Sequence, residues 1–165
     1  TDPDWHTHNT TSTLPSRATL SGGMLRRREF RFPFQGGALV FAVGGTPPPW
    51  VMPTIESFGA LSELRAGWDT CGSPPIQPAY VESALNVIFA VMRDNTPTPS
   101  VVPTSRGGVQ IEWHTRGVDL EIEFETPFLI RGFFEDHRTA QSWEKDLSFD
   151  QGALVQAIAV LSQRT

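Results

Sequence analysis

One cysteine, one lysine and one tyrosine in 165 residues already remove several kinds of protein. The lone thiol, Cys71, excludes an internal disulfide and fits a reducing compartment, so a cytoplasmic location is expected. Lys145 is the single lysine among thirteen cations, an arginine bias that carries no mechanism. No apolar run approaches the roughly twenty residues of a membrane span, so no membrane association is expected. Gly37 to Val43 (GALVFAV) reads better as a buried strand than as a signal core. The chain opens on Thr1 rather than Met, which would fit removal of an upstream piece. There is no Walker loop, dinucleotide fingerprint, H-E-x-x-H, paired C-x-x-C or G-x-S-x-G elbow. No cofactor is therefore expected. A restriction-type nuclease core needs Glu-x-Lys one strand after an acid, and no Glu-x-Lys occurs.

What is present is concentrated between Gly107 and Glu125 (GGVQIEWHTRGVDLEIEFE). Apolar residues fall at every second position: Val109, Ile111 and Trp113, then Val118, Leu120, Ile122 and Phe124. A period of two marks strands with one buried and one wet face. With Arg116-Gly117 as a two-residue turn, Trp113 opposes Leu120, Ile111 opposes Ile122 and Val109 opposes Phe124. The wet face then sets His114 on Asp119, Glu112 on Glu121 and Gln110 on Glu123. A three-residue loop would mix the faces. Arg is an unusual first residue for a primed turn, but a four-residue loop would keep the same pairing. Phe128 to Glu135 (FLIRGFFE) reads as a third strand, with Arg131 opposite Glu123, Gly132 opposite Ile122 and Phe134 opposite Leu120. In that register Leu129 and Phe133 fall on the wet face.

Val109 to Asp136 carries seven acids against two bases, a net of −5 that equals the whole chain's net charge. Phosphate neutralisation needs Lys and Arg, so an acidic sheet argues against nucleic acid as a partner. The run LRRREFRFPF, with Arg26, Arg27, Arg28 and Arg31 among Phe30, Phe32 and Phe34, could be a basic-aromatic patch. It reads better as an edge strand leading into GALVFAV, its arginines solvated or paired with the acidic sheet.

Residues 1–50 are read as an N-terminal arm with a candidate strand at 37–43, and residues 51–165 as an α+β domain. Gly44 to Pro53 reads as a rigid linker, and Thr54 as the N-cap of a helix from Ile55 to Ala66 stopped by Gly67. Pro78 opens a second helix to about Asp94, apolar on most faces. Thr96 to Pro103 reads as an extended connector. Ser148 and Gln151 form a candidate capping box for a last helix to Gln163, with Leu154, Ile158 and Leu161 buried. The expected fold is α+β, an antiparallel three- to four-stranded meander with helices on one face.

Two motifs resemble a known set. Gly67-Trp68-Asp69 with Gly72, Pro74 and Pro75 resembles the Gly-Trp-Asp-Gly-Tyr-Gly-Ala-Pro signature of a group of short bacterial proteins. Pro103-Thr104 with Gly107-Gly108 and Glu112-Trp113 resembles that group's second signature, Pro-Thr-x-x-Gly-Gly-x-x-x-Glu-Trp. Cys71 stands in place of Tyr and Ser73 in place of Ala. The resemblance covers Leu61 to Lys145 and implies a bacterial or phage cytoplasmic protein, with no activity to carry over.

Three functions are compatible with these residues. The favoured one is a non-catalytic protein-binding module of the adaptor, antitoxin, immunity or host-takeover kind. Its contact residues would be Glu112, His114, Asp119, Glu121, Glu123 and Arg131 on the wet face, or an exposed Phe there. The second is a metal-dependent phosphoester hydrolase with Glu112, His114, Asp119 and Glu121 as ligands. The third is a structural subunit packed through the N-terminal arm. Cys71 with His114 or His137 would make a nucleophile and base, but no neighbour stabilises a thiolate, and a turn residue is the simpler reading. His6 and His8, two apart near Asp4, would make a surface metal pair, though the spacing reads as incidental. Trp68 and Asp69 read as a packed aromatic beside an Asp-initiated turn.

Overall fold

The computed structural model describes residues 27–34 and 37–165. Most of the expected arm, with His6 and His8, lies outside them. The chain runs β1 (Arg27–Phe34), β2 (Gly37–Gly44), α1 (Val51–Ser62), α2 (Pro78–Val91), β3 (Ser100–Pro103), β4 (Val109–Thr115), β5 (Val118–Thr126), β6 (Leu129–Asp136), β7 (Gln141–Asp146) and α3 (Gly152–Gln163). Strands β3 to β7 form one antiparallel sheet in sequence order, and β1 and β2 form a separate two-stranded sheet. The fold is α+β, with a meander of five strands rather than three or four.

The central register is the one the alternation dictates. Trp113 pairs with Leu120, Ile111 with Ile122, and Glu112 with Glu121. Arg116 and Gly117 both take positive φ, 57° and 72°, as a type I′ turn requires. The Arg116 side chain also reaches out of the turn, its Nη1 donating to the Leu161 carbonyl at 2.7 Å near the end of α3. Across the next pair Arg131 opposes Glu123 and Gly132 opposes Ile122. Leu129 and Phe133 are half-buried rather than fully wet.

Inner-face residues Val109, Ile111, Trp113, Leu120, Ile122 and Phe124 are buried in one cluster with Phe58 of α1, Val81 and Ile88 of α2, and Leu154 and Ile158 of α3. Each such side chain stabilises the fold by about 1.5–3 kcal/mol relative to exposure. The Trp113 indole N–H is satisfied by the Pro97 carbonyl at 2.8 Å. Two strands escaped the period-two reading. β3 lies within the expected connector, and β7 (QSWEKD) has Trp143 as its one large apolar residue. Trp143 stacks on Phe134 with ring centroids 5.5 Å apart.

Helix boundaries differ from expectation for identifiable reasons. α1 begins at Val51, inside the proline-rich stretch, because Pro53 falls in the first turn, where a missing N–H costs nothing. Thr54 is therefore internal, its hydroxyl donating to the Trp50 carbonyl at 2.7 Å. The helix stops at Ser62, and Gly67 belongs instead to the following loop, its N–H donating to Ser73 O at 2.8 Å. α2 ends at Val91, three residues early, and Met92 is extended. The Ser148–Gln151 capping box does not form. Gln151 makes no side-chain cap, Asp150 Oδ1 takes the Gly152 N–H, and the Ser148 hydroxyl accepts from Ile130 N on β6.

Two loops lock together beneath the sheet. Asp69 Oδ1 accepts from Cys71 N and Ser73 N, and the Ser73 hydroxyl donates to Oδ2, holding Asp69 below the usual carboxylate range. Gln77 N donates to the Gly107 carbonyl at 3.1 Å. A Cβ on Gly107 would lie 2.9 Å from the Pro75 carbonyl, and one on Gly108 2.8 Å from the Phe124 carbonyl. The glycine pair is thus required by backbone approach. The far end of the sheet is tied by Asp136, buried and held bidentately by Arg164 at 2.8 and 2.6 Å.

Gly108→Ala is expected to destabilise by about 1–3 kcal/mol, because its new methyl meets backbone that cannot rotate away. Gly44→Ala, where a Cβ meets open space, is expected to change stability by about 0.5 kcal/mol or less. Urea unfolding of both variants checks the pair. Equal losses would remove the close-approach argument.

Candidate functional site

Alternation sends Gln110, Glu112 and His114 of β4, and Asp119, Glu121, Glu123 and Glu125 of β5, to the face opposite the core. Register then opposes Glu112 to Glu121 and Asp119 to Glu135. Such like-charge opposition is destabilising unless something intervenes. Gln110 intervenes for the first pair, its side-chain amide donating to Glu112 Oε1 at 2.8 Å and to Glu121 Oε2 at 3.1 Å.

The six expected contact residues lie on this one face, in two groups. Around His114, Nδ1 lies 2.8 Å from Asp119 Oδ1, while Nε2 lies 3.5 Å from Glu112 and 3.9 Å from Glu121. His137, two residues nearer the chain end than Glu135, places Nε2 2.8 Å from the other Asp119 oxygen. Asp119 is thus gripped by two imidazoles. The second group lies further along the strands, at Glu123 and Arg131. Arg131 opposes Glu123 in register, yet its Nε makes its ion pair with Glu125 at 2.6 Å. A pocket of about 280 Å³ opens there, lined by Gln110, Glu121, Glu123, Arg131, Phe133 and Glu144.

The quartet expected as metal ligands is not the tightest donor group. Among the described residues, the three donors that gather within 4.8 Å of one another are Asp119, Glu135 and His137. Glu112 and Glu121 are drawn off by Gln110. Sequence reasoning could not find Glu135 and His137 as partners of Asp119 without pairing β6 against β5 through to its last residues. Cys71 is exposed in the Asp69 turn, as its simpler reading had it. Phe128 and Phe149 are 87% and 100% exposed. They flank one end of β6, where Leu147 N donates to Ile130 O and Ser148 accepts from Ile130 N. Arg31 is exposed on β1, as a solvated edge strand requires. No helix among the described residues is long and apolar enough to cross a membrane.

The hydrogen bond from Asp119 raises the His114 imidazole above its usual 6.5, against partial burial and with help from the charges of Asp119, Glu112 and Glu121. Reciprocally, His114 and then His137 hold Asp119 below its usual 3.8. These are two views of one contact. A raised histidine stabilises the fold fully below 6.5, and this is lost as pH rises through the folded value. A depressed carboxylate stabilises above 3.8, and this is lost as pH falls through the folded value. The contact is therefore strongest in the window between 3.8 and 6.5.

Asp119→Asn is expected to return the His114 titration toward 6.5, read from its ring protons by NMR. The melting-temperature deficit of that variant should be largest near pH 5 and shrink toward pH 8. A deficit that grows with pH would contradict the assignment.

Comparison with protein-family models, curated proteins and solved structures finds no match for this chain.

Proposed function

We propose that the protein is a non-catalytic binding module, of the adaptor, antitoxin, immunity or host-takeover kind, whose acidic outer sheet face docks a basic protein partner. The observation that carries this reading is the pocket at the second group of residues. Glu121, Glu123 and Glu144 line it with the Phe133 ring, and the one cation at its rim, Arg131, is already engaged by Glu125. Its volume suits a single Arg or Lys side chain, whose stem would lie on Phe133 and whose charge would meet the carboxylates. The surrounding face, Glu112 and Asp119 included, would steer such a partner and speed encounter.

The five-stranded sheet suits this task. The carboxylates on β4 and β5 are carried on strands whose inner-face residues are buried, so a rigid scaffold presents them. β7, an edge strand of this sheet, leaves one side of its backbone beside the pocket, next to Glu144. An extended basic segment could pair there while its side chain enters the pocket.

Native mass spectrometry of the chain purified gently from its own host tests the reading. A stoichiometric heteromer is expected, and it should be lost in a Glu121→Arg, Glu123→Arg double variant and retained in Glu56→Arg, an exposed position on α1. Association should also slow with rising salt, as steering requires. A complex that survives the double reversal would sink the proposal.

A further inference from the structure

We infer that the end of the outer face beside the β4–β5 turn is a binding site for a divalent transition metal of the zinc class, with Asp119, Glu135 and His137 as its protein ligands. This does not rest on the docking reading, whose pocket uses other residues.

Three strand-end positions converge there. Asp119 on β5 and Glu135 on β6 are direct cross-strand partners. His137 follows β6 and is fixed by its own N–H, which donates to the Gly117 carbonyl at 3.0 Å. One donor atom from each residue lies within 4.8 Å of the others. Ligand atoms around a tetrahedral ion sit about 3.3–3.5 Å apart, given metal bonds of about 2.0–2.2 Å. Rotation of the side chains closes that gap, and they are free to rotate: Asp119, Glu135 and His137 are 31%, 46% and 49% exposed. The backbone need not move.

The donor types select the ion. Two carboxylates and one imidazole suit zinc and its neighbours, whereas calcium takes six to eight oxygens, and magnesium demands near-octahedral oxygen coordination. A three-residue set leaves a fourth position for water. His114 supports the set from outside. Its Nδ1 lies 2.8 Å from the Asp119 oxygen that His137 does not use, and so orients the carboxylate.

Charge supplies an independent argument. Other acids of the sheet have permanent cationic partners: Asp136, at this end, has Arg164, and Glu125, at the other, has Arg131. Among the described residues the ion-pair contacts of Asp119 and Glu135 are to imidazoles alone. Asp119 and Glu135 are directly opposed across β5 and β6, a like-charge arrangement that a cation between them would relieve.

The test is zinc titration of the full chain carrying His6→Ala and His8→Ala, so that the two N-terminal histidines contribute nothing. Competition with a chromophoric chelator gives affinity and stoichiometry, and NMR follows the His137 ring. One zinc per chain is expected, with His137 resonances shifting and excess magnesium failing to displace it. His137→Ala and Asp119→Asn should each weaken binding roughly tenfold or more, while Glu56→Gln should not. Circular dichroism confirms that each variant is folded. Absence of saturable binding, or equal affinity in folded His137→Ala, would overturn the inference.

Discussion

The register of β4 against β5 is the constraint on which both faces of the sheet depend. A slip of one residue would carry either Glu112 of β4 into the space of Trp113, or Glu121 and Glu123 of β5 into the space of Leu120 and Ile122. Burying even one unpaired carboxylate costs more than a domain of this size can spare. The tight turn at Arg116 and Gly117 and the alternation on either side therefore enforce the same answer. Arg116 adds a third restraint by reaching the end of α3, so the turn that sets the register is also bonded to the helix that covers it. Arg164, coming back from α3 to Asp136 on β6, closes the same corner from the other direction.

Satisfying the inner face in this way forces a concentration of negative charge on the outer one. The protein relieves it locally and unevenly. A neutral amide separates Glu112 from Glu121, two imidazoles share Asp119, and an arginine takes Glu125. Among the described residues Glu123 and Glu144 line the pocket without an ion-pair partner, so negative charge gathers where the face is also concave. Shape and charge coincide, which is what a recognition surface for a cation needs.

Much of this was readable in the chain before any coordinates. Aromatic content located β6, and period-two alternation, the stronger signal, located β4 and β5, their pairing and the composition of the outer face. It failed for β7, where Gln141, Ser142, Glu144, Lys145 and Asp146 surround one Trp. An edge strand with little buried surface has no alternation to display. It failed for β3 because four residues ending in proline read as a connector as easily as a strand. The start of α1 lies inside a proline-rich stretch that reads as a rigid linker, yet Pro53 in the first turn is compatible with helix initiation. The site was half legible. Its residues on β4 and β5 followed from alternation. The expected register of β6 on β5 already implies Glu135 opposite Asp119, but His137, beyond the end of β6, and the diversion of Arg131 to Glu125 needed side-chain geometry that a register cannot supply.

Strict sequence order across the sheet has a kinetic meaning. Every strand from β3 to β7 pairs with its immediate neighbour in the chain, so each contact layer closes a short loop. Such a sheet can grow hairpin by hairpin outward from β4–β5, whose turn conformation is the best defined locally. The helices arrive from opposite ends of the chain, α1 and α2 before the sheet and α3 after it. Where Asn95 and Thr96, just after α2, bond to Ser162 of α3, hydrogen bonds close loops of 67 and 66 residues. A ribosome emitting this chain would thus release a nearly complete meander before the final helix could cover it. Until Leu154, Ile158 and Leu161 emerge, part of the inner face stays wet, and that interval is when the nascent chain is most exposed to misassociation.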